Sequence, residues 1–144
     1  MKDHSFNCSV TVDVTAHEAL KGISNVSGWW AKNYEGHSDK TGDVFTVHFG
    51  KTNVTFKLTE IIADKKIVWS VTDCNLDWLE DKKEWNGTQV VFELSPENGG
   101  TKIDFTHIGL VPEIACYNDC RQGWTGHVMG SLPQLLTTGI GRPE

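Results

Sequence analysis

From Phe45 to His107 apolar side chains recur at every second position in one short run after another, and from Pro112 that rhythm gives way to a helical one. A period of two places alternate side chains on opposite faces of a strand, whereas a period near 3.6 builds one helical stripe. The runs are Phe45, Val47, Phe49; Val54, Phe56, Leu58; Ile67, Trp69, Val71; Val90, Phe92, Leu94; and Thr101, Ile103, Phe105, His107. Phe6, Cys8, Val10 and Val12 add an opening strand, for about six in all. Turn residues separate most neighbours, notably Thr41-Gly42-Asp43, Asp64-Lys65-Lys66 and Pro96 to Gly100, so the expected sheet is an antiparallel meander. The double isoleucine at 61 and 62 breaks its phase and marks a bulge or a strand end.

Two short helices are expected after the first strand. Thr15 and Glu18 have capping-box spacing, with Val14 and Ala19 as the staple and Gly22 as a left-handed stop. A second helical piece around Ile23 to Ala31 closes on Trp29-Trp30. The long C-terminal helix, Pro112 to about Thr138, places Tyr117, Trp124, Val128 and Leu135 in one sector, flanked by Ile114 and Leu132. Pro112 suits its first turn and Gly139 its C-cap. At ~1.5 Å per residue it is ~40 Å long. Six strands at ~4.8 Å span ~25–30 Å, so one helix can cover the whole apolar face. Pro133 should interrupt it near Met129. Gly123, Gly126 and Gly130 are costly in a helix, which implies close approach to the sheet, room left for a ligand, or both. The fold class is therefore α+β, a curved antiparallel sheet around a C-terminal helix, in a single domain over residues 1–144.

A formal charge of −6, with no basic cluster to offset it, disfavours nucleic acid as a partner. No apolar run reaches the ~20 residues of a membrane span. The N-terminus lacks a signal-peptide core, so a cytoplasmic location is expected and the Asn-X-Ser/Thr sequons carry no weight. Cys8, Cys74, Cys116 and Cys120 read as small buried hydrophobes, and no metal or other cofactor is expected.

Several segments resemble a known family in wording and order. They are Trp29-Trp30, Ile67-Val68-Trp69, Gly87 to Pro96, Gly100 to Ile103, Phe105 to Leu110, Cys120 to Trp124 and Gly139-Ile140-Gly141. Together the chain resembles the activator of heat-shock-protein-90 ATPase homologue 1-like family of the START-like (SRPBCC, Bet v 1-like) superfamily. The resemblance implies the helix-grip fold with a hydrophobic cavity between sheet and helix, and no shared catalytic set. It also implies a possible chaperone partner, although in eukaryotic activators the main chaperone contacts belong to another domain.

His107 keeps the phase of Ile103 and Phe105, so it should face the helix and find a polar partner there, with His127 a candidate. No nucleophile elbow, zinc-protease or nucleotide-loop motif is present, and the acids Asp73, Asp77, Glu80, Asp81 and Glu84 read as solvated. Binding is therefore expected over catalysis. The expected cavity wall is Phe45, Phe56, Trp69, Phe92, Phe105, His107, Trp124 and His127, enclosing a small hydrophobic or amphipathic molecule. Trp29, Trp30, Trp78 and Trp85 fall near element ends or in the long loop, where aromatics suit a cavity mouth. The alternatives are a co-chaperone-like interaction module and a cyclase-like enzyme using His107.

Overall fold

The fold is given by a computed structural model that describes residues 5–111 and 117–144. Pro112, Ile114 and Cys116, which enter the sequence reading, lie outside the described residues. The strands are β1 (Phe6–Val12), β2 (Asn33–Gly36), β3 (Val44–Phe49), β4 (Thr52–Ile62), β5 (Lys66–Asn75), β6 (Gln89–Glu97) and β7 (Gly100–Ile108). They form one curved antiparallel sheet of seven strands in the order β1-β7-β6-β5-β4-β3-β2. The first strand in sequence thus pairs with the last, Phe6 opposite His107 and Val12 opposite Thr101. The seventh strand, β2, is absent from the alternation because it is a four-residue edge strand with mostly exposed side chains. The double isoleucine does close β4, and the pairing with β5 slips just before it, between Leu58 and Glu60.

Helix α1 (Ala16–Ser24) begins as its sequence dictates. The Thr15 hydroxyl accepts from the Glu18 N–H at 3.1 Å, and the Glu18 carboxylate accepts from the Thr15 N–H at 3.1 Å. The Thr15 N–H, and the Thr15 hydroxyl donating at 3.1 Å, hold the Glu18 carboxyl below its ordinary range. Gly22 does not stop the helix: α1 runs on to Ser24 and caps at Asn25. A Cβ on Gly22 would overlap Leu136 of the C-terminal helix, so this glycine serves close approach of two helices. Helix α2 (Val26–Trp29) follows directly.

After α3 (Tyr117–Gly126) comes a single π turn, His127–Ser131, and then α4 (Leu132–Thr138). The expected break before Pro133 takes this form. Proline has no N–H and its ring crowds the carbonyl four residues back; the wider π turn accommodates that gap, with the Leu132 N–H reaching the His127 carbonyl. Gly139 ends α4 in the left-handed conformation at φ 86°, its N–H on the Leu135 carbonyl.

The concave side of the sheet is filled by aromatic rings. Phe105, Phe92, Trp69, Phe56 and Phe45 run across β7 to β3, each in contact with the next at centroid distances of 5.0–5.5 Å. Ile103, Phe105 and His107 are fully buried, as their phase requires. Trp124 of α3 packs on Phe105 at 4.6 Å, and Val128 and Leu132 complete the helix's buried stripe. Each such ring pair adds ~0.5–1.5 kcal/mol beyond its buried area. Among the described residues, no helix is long and apolar enough to cross a membrane.

Candidate functional site

At one end of this filled interior the packing leaves a hollow of about 320 Å³. Its floor comes from the end of α2 and the β3–β4 hairpin, through Trp30, Phe49, Thr52 and Val54. The loop between β5 and β6 supplies Leu76, Trp78 and Trp85, and the helix supplies Cys120, Gly123, Trp124 and His127. Glu144, from the tail beyond α4, stands at the rim.

Hydrogen bonds fix each wall. Trp124 donates its indole N–H to His107 Nδ1 at 3.0 Å, and His107 Nε2 lies 2.9 Å from the Thr88 hydroxyl. Thr88 gives its one proton to the Trp85 carbonyl at 2.6 Å. The hydroxyl must therefore accept from His107, which makes the imidazole the neutral Nε2–H tautomer. Burial pushes the His107 pKa down to about 3, so the ring stays neutral at ordinary pH. The Trp85 ring meets His107 edge-on at 4.6 Å and stacks on Trp124 at 6.0 Å. One buried histidine thus positions two of the cavity's tryptophans.

The other walls are tied down separately. The Asp77 N–H donates to Thr52 Oγ1 at 3.1 Å, fastening the loop to β4. Within that loop Lys82 Nζ donates to the Asp77 carbonyl, and at its base Lys83 pairs with Asp73 at 2.9 Å, which holds the Asp73 carboxyl below its ordinary range. The tail returns alongside α2: the Glu144 N–H donates to the Trp30 carbonyl at 2.9 Å, and the Lys32 N–H to the Glu144 carbonyl at 2.8 Å. Ser131 couples helix, tail and α2, donating to the Trp29 carbonyl and accepting from the Arg142 N–H, both at 2.7 Å. The Glu144 carboxylate then lies 3.3 Å from His127 Nε2.

Of the eight expected wall residues, the structure brings Trp124 and His127 to the hollow. Phe45, Phe56, Trp69, Phe92, Phe105 and His107 are at most 1% exposed and pack beneath it. His127 meets Glu144, while the helix partner of His107 is Trp124. The three helix glycines differ, and a Cβ on Gly130 would lie 2.8 Å from the Arg142 guanidinium. A Cβ on Gly123 or Gly126 would meet no described atom within 4 Å, so sheet contact does not explain them, and Gly123 opens directly onto the cavity. Of the remaining lining residues, Phe49, Thr52 and Val54 lie on strands and Cys120 and Gly123 on α3, while Trp30, Leu76, Trp78, Trp85 and Glu144 come from a helix end, the loop and the tail, where periodicity has nothing to report. The signal at those breaks was tryptophan, although Trp29 beside them is fully buried in the core. A larger groove of about 930 Å³ between α1, β2 and α4 is shallow and mixed in polarity. Among the described residues, no group of three His, Cys, Asp or Glu side chains could hold a metal ion.

A seven-stranded antiparallel sheet gripping a C-terminal helix, with an aromatic hollow where they part, defines the helix-grip class of START-like domains. The family model described as "Activator of Hsp90 ATPase homolog 1-like protein" matches residues 17–137, and the chain belongs to that family. The solved Aha1 dimer from Colwellia psychrerythraea is similar with a TM-score of 0.79 and 20% identity, covering 95% of this chain and 98% of that one. A Mesorhizobium loti protein is similar at 0.73 and 15% identity, over 92% and 96% of the two chains. DynU16, a protein from the dynemicin biosynthetic locus, is similar at 0.69 and 16% identity, over 97% of this chain and 49% of its own. At these identities the likeness is one of fold. No curated protein matches the sequence.

Proposed function

We propose that this protein binds a small hydrophobic or amphipathic molecule in the tryptophan-lined cavity. The supporting observation is the hollow itself: about 320 Å³ of apolar-walled space in an otherwise filled interior, with a helix glycine where a side chain would fit. That volume lies at the lower end of the range used for small ligands, which favours a compact molecule. Titration with 1-naphthol and with decanol, followed by tryptophan emission and native mass spectrometry, tests it. Saturable one-to-one binding of either, lost in Gly123→Leu, is expected. The absence of a saturable response to both, up to their solubility limits, would overturn the reading.

A second reading, contact with a chaperone, draws on family membership and on Trp78, which is 50% exposed on the acidic loop after β5. It expects capture of a purified Hsp90 and a changed ATPase rate, both weakened by Trp78→Ala. Proton transfer by His107 gains no support, because both ring nitrogens are engaged within the protein.

A further inference from the structure

We infer that the molecule taken up by this cavity is an organic cation, a compact apolar body carrying an alkylated or quaternary ammonium group. This rests on the proposed binding function and adds the charge of the ligand.

Four tryptophans, Trp30, Trp78, Trp85 and Trp124, line one small space, with Phe49 as a fifth aromatic. The π system of an aromatic ring attracts cations, indole most strongly, and the attraction grows as water is excluded. Lysine and arginine are absent from the described lining, and Glu144, whose side chain is 72% exposed at the rim, is its one acidic residue. That carboxylate is not on a free-swinging tail, since backbone bonds to Trp30 and Lys32 hold Glu144 on both sides. An anionic group would meet electron-rich rings and this carboxylate. It would also find the Trp124 N–H already given to His107. An ammonium meets the same rings favourably and can share Glu144 with His127. The formal charge of −6 adds long-range attraction of the same sign.

The test compares three molecules of nearly equal size: phenyltrimethylammonium, its carbon isostere tert-butylbenzene, and benzenesulfonate. Calorimetry on the full chain should give the ammonium roughly tenfold tighter binding than the neutral isostere, with the sulfonate weakest. Glu144→Gln should weaken the ammonium about fivefold and the isostere by a much smaller factor. Trp78→Leu, at a half-exposed position of the lining, should weaken the ammonium by a larger factor than the isostere, because both lose contact area but only the ammonium loses the cation–π attraction. Equal binding of ammonium and isostere, preference for the sulfonate, or equal losses for both ligands in these variants would overturn the assignment of charge while leaving the cavity a binding site. If none of the three binds, and 1-naphthol and decanol also fail, the binding function itself falls. Vesicles of phosphatidylcholine separate the two sources of such a group. Co-sedimentation displaced by phenyltrimethylammonium assigns a lipid headgroup, and binding of the soluble ion alone assigns a free ammonium compound.

Discussion

Replacing Gly123 should make the protein more stable and less able to bind. In a helix interior, glycine costs ~1 kcal/mol relative to alanine, because its backbone loses more freedom on folding. A Cβ at Gly123 meets no described atom within 4 Å, so no clash offsets this gain. For a chain of 144 residues the unfolding entropy is about 300 cal/mol/K near 60 °C, so ~1 kcal/mol raises the melting temperature by about 3 °C. Gly123→Ala should show that rise by calorimetry without ligand. Gly123→Leu should keep most of it, leucine being nearly as good a helix former, while its side chain enters the 320 Å³ hollow. Affinity for 1-naphthol should then fall at least about tenfold, the scale of a lost ~1.4 kcal/mol of contact. A lower melting temperature for Gly123→Ala would mean that the helix is packed at this point and the notch is not open. Unchanged probe binding in Gly123→Leu would place the ligand elsewhere.

Three further outcomes follow from the same geometry. His107 has a folded pKa of about 3 against an ordinary 6.5, so the unfolded chain takes up a proton first as pH falls. Its contribution therefore leaves stability intact above ~6.5 and erodes it below, by ~1.4 kcal/mol per pH unit until about pH 3. Urea unfolding at pH 7 and pH 5 should differ by about 2 kcal/mol from this group, and His107→Gln should lose that part of the difference. Ser131→Ala removes the link between α2 and the tail, and should cost about 1–3 kcal/mol while speeding amide exchange at Arg142. Thr15→Ala breaks the capping box and should cost about 1 kcal/mol in chemical denaturation.

The fold was legible because its strands are regular on the buried side. Phe92, Phe105 and Trp69 alternate cleanly, and the residues in phase with them are buried. The capping box of α1, the break before Pro133 and the stop at Gly139 are local chemistry, so they appear in the sequence as they do in space. Gly22 was ambiguous: a glycine needed for helix contact and one needed for a left-handed turn look alike until Leu136 is placed beside it. The cavity was harder for a related reason. Alternation says that Phe45 and Phe56 point inward, but not whether they meet each other or empty space. Here they stack at 5.1 Å. The hollow is walled instead by Trp30, Trp78, Trp85 and Glu144, residues from a helix end, a loop and a tail. Their convergence is a property of the whole sheet's curvature, which no short stretch of sequence encodes.

The indoles have a consequence for how this protein can be watched. Trp30 touches Trp29, Trp69 and Trp124, and Trp124 stacks on Trp85, at centroid spacings of 4.7–6.2 Å. At such separations excited states hop and couple, so these five should respond to light as one shared chromophore rather than as separate probes. Trp78 borders the same cavity as three of them but is half in solvent. Its solvent-exposed face should give the red-shifted part of the emission, and quenching of that part by solutes reports the mouth of the cavity.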